Sequence, residues 1–225
     1  MLQLNLSLLS ELQMVVSALI LLTAFIFLMQ NRIYGMINTF AWQSSLLVIA
    51  AVLQGIITYQ YEFFISASIT LILKVLFIPY LMRYLVKRLN FKHKVSTITH
   101  PFLLLLSAVV LVLFCYYLTT SITSKSFSFL SNVTSVAMAV TLLGMLLLVT
   151  HRKAISHVVG FMSMENGIFF AALVAAHGMP MVVELGIAFD VLVAAVLFGV
   201  FFFHLRSSID SLDVDNLNLL REDNE

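Results

Sequence analysis

The sequence predicts an all-α, polytopic membrane protein with about seven transmembrane helices. Three observations lead there. Of the 225 residues, 61% are hydrophobic and only 10% are charged, against about 25% charged in a soluble domain. Mean hydropathy is +1.05. Apolar runs of about 20 residues, long enough to cross ~30 Å of hydrocarbon, recur along almost the whole chain. Helix is the expected element, because only helices and closed barrels satisfy their backbones in lipid and these runs lack the alternation of barrel strands.

The expected spans cover 11–30, 34–57, 63–86, 101–120, 129–150, 157–177 and 181–204. Lysine and arginine set the expected orientation. Arg83, Lys87, Arg88, Lys92 and Lys94 follow the third span, Arg152 and Lys153 the fifth, Arg32 the first and Arg206 the seventh. The opposite connections hold only Glu62 and Lys125, with no charge between His177 and Met181. The N-terminus is therefore expected outside and the C-terminus in the cytoplasm. A cleavable signal peptide is not expected, because the start is not basic and Glu11 edges a long span. Residues 1–128 and 129–206 read as two membrane halves, and 207–225 as an acidic cytoplasmic tail.

A parallel 3+1+3 pseudo-repeat relates the halves as pattern rather than identity. In each, a basic turn leads into a span with a polar residue about ten positions in, Gln43 or Glu165. The next span carries a charge near mid-depth, Lys74 or Asp190. The fourth span serves as connector.

Several motifs are missing. Cys115 is the single cysteine, so no internal disulfide forms. The six histidines are scattered without ligand spacing, and no metal site is expected. No phosphate-binding glycine loop or nucleophile elbow is present, so no cofactor, catalytic residue or nucleic-acid contact is expected.

The ionisable residues inside the spans carry the functional argument. Each costs at least roughly 2.5–3.5 kcal/mol in a bilayer, and such groups commonly mark ion pathways. Glu165 lies among Ser163, Asn166 and Gly167, two turns beyond His157. It reads either as a proton-carrying carboxylate whose charge a nearby cation switches, or as a helix–helix hydrogen bond, with Gly160 and Gly167 allowing close packing. Asp190 shares a face with Gly186 and Ala194, which suits a narrow water path or tight packing. Glu184 lies near the outer end and reads as either pathway or interface. Lys74 continues a stripe with Ser66 and Thr70, and Pro79 five residues on removes an amide and can kink the helix. It sits about 13 Å from Arg83, too deep for easy snorkelling. Gln43, beside Ser44 and Ser45, reads as an interhelical hydrogen bond.

Taken with their order, these residues resemble a known family. Arg152-Lys153, then Gly160 through Glu165-Asn166, then Asp190, resemble the small K subunit of complex I and the matching C subunit of multi-subunit cation/proton antiporters. With the N-terminal half and Lys74 included, the chain resembles component E of the hydrogenase-4/formate hydrogenlyase group. One departure is Asp190, where the K subunit has glutamate. The resemblance implies a non-catalytic, multi-pass subunit of a bacterial or archaeal plasma membrane. It implies large antiporter-like membrane subunits as neighbours and a peripheral hydrogenase or dehydrogenase arm. Glu165, Asp190, Lys74, Glu184, His157 and Gln43 are then expected along a proton or Na⁺ path. Two other classes stay open. One is a structural membrane-anchor subunit whose buried charges only stitch helices. The other is a stand-alone secondary transporter, against which the scarcity of paired glycine and proline breaks speaks.

Overall fold

The computed structural model describes residues 2–88, 100–122, 128–152, 154–175, and positions 186, 191–193, 195, 196 and 199. Glu184, Asp190, His177, Lys92, Lys94, Lys125, Lys153, Arg206, most of the expected seventh span and the 207–225 tail lie outside them. Helices are α1 (Leu2–Met29), α2 (Ile33–Thr58), α3 (Glu62–Thr70), α4 (Ile78–Arg88), α5 (Pro101–Ile122), α6 (Ser128–Thr150) and α7 (Ala154–Ala175). A π-helical segment, Leu71–Phe77, joins α3 to α4, so these three pieces form one continuous span, Glu62–Lys87. Among the described residues six helices are long and apolar enough to cross a membrane, and there is no strand beyond single bridge residues at Arg32 and His151.

The limits of the helices follow local chemistry. α2 ends at Tyr59, whose φ of 56° is left-handed and turns the chain towards α3. α1 begins nine residues before the expected start at 11. Glu11 is exposed and does not interrupt the backbone ladder, so an acid at the edge of the apolar run is no helix stop.

Packing is built on close backbone approach, because lipid tails supply no hydrophobic drive between helices. α6 and α7 form the tightest pair. A Cβ added at Gly144 would stand 2.6 Å from the Met164 backbone nitrogen, and one at Gly167 would strike Thr141 Oγ1 and lie 2.7 Å from its backbone nitrogen. Gly144→Ala is therefore expected to push α6 off α7 and cost about 1–3 kcal/mol. A lower unfolding temperature in detergent checks it, and an unchanged one rejects the packing argument.

α1 packs on α2 and α6, and α2 packs on α3, the π segment and α7. The fully buried side chains of this centre include Ile20, Phe27, Met36, Phe40, Leu143 and Phe170. α5 lies at the side, against α6 and α1, with Phe102, Val110, Leu113 and Tyr117 exposed. Helices that the pseudo-repeat would relate, α1 with α6 and α2 with α7, rest on each other.

The ends of α1, α4 and α6 meet at one side of the bundle. Ser156 at the start of α7 lies 3.5 Å from Met36 Sδ near the start of α2. Arg83 near the end of α4 donates to Asn38 of α2. This is the basic end, with Arg32, Lys87 and Arg152 exposed there.

Candidate functional site

Most hydroxyls inside the spans are satisfied by their own helix. Ser17, Thr23, Ser45, Thr119, Thr141 and Thr150 each donate to a carbonyl three or four residues back. Such residues need no functional explanation. The residues at the junction of α2, the π segment and α7 are different, because they bond across helices.

Lys74 Nζ lies 2.7 Å from Glu165 Oε1, and both residues are buried, at 2% and 5% exposure. The same ammonium donates to Asn166 Oδ1 at 3.3 Å and stands 5.5 Å from the centre of the Phe169 ring, within cation–π range. Asn166 Nδ2 in turn points to Gln43 Oε1 at 3.2 Å and Ser44 Oγ at 3.4 Å. The amide is thereby oriented, with its oxygen towards the lysine. Gln43 is ten residues from the start of α2 and Glu165 eleven from the start of α7. At helical rise both lie about 15 Å from the basic end, near the middle of the hydrocarbon.

The helix containing Lys74 is not regular there. The π segment widens the turn, and the Ile78 amide bonds five residues back, to the Leu73 carbonyl. Sequence reading anticipated a kink at Pro79 freeing a carbonyl. A π turn, Leu71–Phe77, ends two residues before that proline. One extra residue per turn rotates Lys74 relative to a straight helix, and π turns of this kind recur at functional sites. Ser66, Thr70 and Lys74 all lie on the buried face, as the stripe required.

Three polar atoms of this region are buried without a protein partner: Glu165 Oε2, Gln43 Nε2 and Ser66 Oγ. Leaving such an atom bare costs about 1–3 kcal/mol, more for a charged group. Ser163 Oγ is also unpartnered, but helical spacing places it with Gly160 and Gly167 on the α6 side. Gln13 on α1 is buried with both amide atoms unpartnered and has no hydrogen-bond link to the cluster.

Gly186 stands beside the carboxylate. A Cβ there would lie 3.7 Å from Glu165 Oε1 and 3.6 Å from the Phe169 ring. Asp190 and Glu184 lie outside the described residues. His157 is exposed in the first turn of α7, two turns before Glu165. Its charge acts on His151, which is buried at the α6–α7 turn. Burial holds the His151 imidazole below its ordinary range, against a hydrogen bond to the Leu147 backbone and with a smaller contribution from His157. Two contributors escaped the sequence reading as site residues, Asn166 and Phe169. The adjacency of Asn166 to a buried glutamate was a usable signal. Nothing local marked Phe169 among nineteen phenylalanines.

No family model and no solved structure matches the chain. Hydrogenase-4 component E of Escherichia coli strain K12 is 29% identical over 183 residues, covering 81% of this chain and 84% of that protein. The Shigella flexneri component E gives the same identity over the same coverage. The chain is similar to hydrogenase-4 component E. An uncharacterized protein of Mycobacterium tuberculosis is 26% identical over 204 residues, covering 90% of this chain and 93% of its own length. Similarity to component E over four-fifths of both chains agrees with the resemblance drawn from the residues. The helices long enough to cross a membrane agree with a multi-pass membrane protein.

Proposed function

We propose that this chain is a non-catalytic membrane subunit of a complex-I-like redox or antiporter-type assembly, and that Lys74 and Glu165 form one station of its proton path. The observation that carries the reading is the mid-depth ion pair of Lys74 and Glu165 with the second carboxylate oxygen unpartnered. Asp190, Glu184 and Gln43 are proposed as its continuation, and Na⁺ is the alternative coupling ion for the same carboxylates. Larger antiporter-like membrane subunits and a peripheral hydrogenase or dehydrogenase arm are the proposed neighbours, in a bacterial or archaeal plasma membrane. The similarity to component E supports that setting.

The chemistry is a switch of charge. A proton reaching Glu165 Oε2 neutralises the carboxylate, and the attraction holding Lys74 to Oε1 falls. The ammonium then rests on Asn166 Oδ1 and the Phe169 face until another carboxylate attracts it. When the proton leaves, the pair re-forms. Each pairing changes the proton affinity of the next group, so charge state passes sideways along buried residues. Redox work in a partner would bias the equilibrium. His157, at the exposed turn of α7, is proposed only as a relay towards solvent at the basic end.

The competing structural role is tested on the intact assembly with charge-neutral changes, Lys74→Met and Asp190→Asn. Proton uptake per assembled complex is expected to collapse in both while assembly persists. Reduced assembly with unchanged uptake per complex would reject the relay and leave a stitching role. Transport by the purified chain alone in liposomes would point instead to a stand-alone transporter.

A further inference from the structure

Arg83 is the exposed cation of the Glu62–Lys87 span that sits deepest from its basic end, one turn inside Lys87. Its Nη2 donates to Asn38 Oδ1 at 2.8 Å. Among the described residues the ion pair is Lys74 with Glu165, and no carboxylate pairs with Arg83. The guanidinium has five donors, and the hydrogen bond to Asn38 engages one nitrogen, Nη2.

Two clefts meet at this side chain. One, of about 330 Å³, lies between α2 and α4 and is lined by Asn38, Ala41, Trp42, Ser45 and Arg83. The other, of about 540 Å³, runs along the same span past Ile72, Leu76, Pro79 and Tyr80 to Arg83. Those residues recur at helical spacing, so they form one outward stripe. From Arg83 to Ile72 is eleven residues, or about 16 Å, close to half of the ~30 Å hydrocarbon thickness. Trp42 is 69% exposed and Tyr80 is 70% exposed, so both present aromatic surface outward beside the two clefts.

We infer that this groove is a binding site for an anionic phospholipid. Its phosphodiester sits on the Arg83 guanidinium beside the Asn38 carboxamide, and one acyl chain lies along the Ile72–Tyr80 stripe. Charge complementarity decides the headgroup. Arg83 and Lys87 offer two positive groups one turn apart, and the residues lining the two clefts include no carboxylate to pair with a lipid ammonium, so a headgroup without a cation is preferred. Length decides the class, because the apolar stripe continues from the charge for the depth of one leaflet. The site lies on the outer face of the span, away from the Lys74–Glu165 pair, and does not depend on the proposed relay.

The test uses the full chain purified in mild detergent and placed in nanodiscs of equal phosphatidylglycerol and phosphatidylcholine, with retained lipid counted by native mass spectrometry. The chain is expected to retain phosphatidylglycerol about fivefold or more over phosphatidylcholine. Arg83→Gln is expected to erase the preference. Leu76→Trp, which fills the stripe and keeps Arg83 and Asn38, is expected to lower retention of both lipids. Equal retention of the two lipids by the unaltered chain overturns the inference. So does an unchanged preference in Arg83→Gln. Should Arg83→Gln not fold, undiminished retention in Leu76→Trp overturns it alone.

Discussion

Glu165→Gln is expected to slow proton movement through the assembled complex by about a hundredfold or more, with assembly retained. Glutamine is nearly the same shape, and its amide oxygen still accepts from Lys74. The Asn166 contacts to Gln43 and Ser44 are untouched, so α7 keeps its seat against α2. Only the titratable oxygen is lost. Positioned proton donors and acceptors contribute about 10²–10⁴ in rate, which sets the size. Glu165→Asp should fall between, because one methylene less opens the 2.7 Å contact to Lys74 while keeping an acid. The measurement is proton uptake in inverted membrane vesicles, normalised to assembled complex. Uptake unchanged in Glu165→Gln would remove this carboxylate from the path and with it the proposed mechanism.

The second large effect is on stability and is not additive. Removing one member of a buried ion pair leaves the other charged or forces it neutral, at about 3–5 kcal/mol. Lys74→Met should cost near that range. Glu165→Gln should cost less, because an acceptor remains. The double variant Lys74→Met/Glu165→Gln should recover a large part of the loss, since no buried charge is left to compensate. A coupling energy above about 2 kcal/mol is expected from denaturant unfolding of the four proteins in detergent. Losses that simply add would mean that the 2.7 Å contact is not an energetic unit. The double variant also separates two questions, since it should fold well and still fail to move protons.

How far the sequence could reach differs between residues. The helix over 33–58 was legible nearly to its ends, because an apolar run of membrane length has one way to satisfy its backbone. Lys74 was legible as buried, because its distance from the basic loop left no route to water. The stripe of Ser66, Thr70 and Lys74 was legible from spacing alone. The π turn was not. Pro79 announces a disturbed ladder but does not say whether the chain bends or widens, and that choice depends on what Lys74 must reach across the bundle. Asn166 was visible as a neighbour of Glu165, yet its role as the bridge between Lys74 and Gln43 exists only once α2 and α7 are packed.

By itself the sequence determined that this is a helical membrane protein and that its buried charges need partners. Both are local matters: hydropathy fixes where lipid lies, and desolvation makes a lone ion intolerable wherever it occurs. Which charge answers which was decided by the tertiary structure alone. Lys74 and Glu165 are 91 residues apart, and any acid at similar depth would have met the lysine's need equally well. The glycine contact of α6 with α7, the seat of α7 on α2 and the widened turn at Lys74 select one pairing, because a 2.7 Å ion pair depends on where whole helices lie.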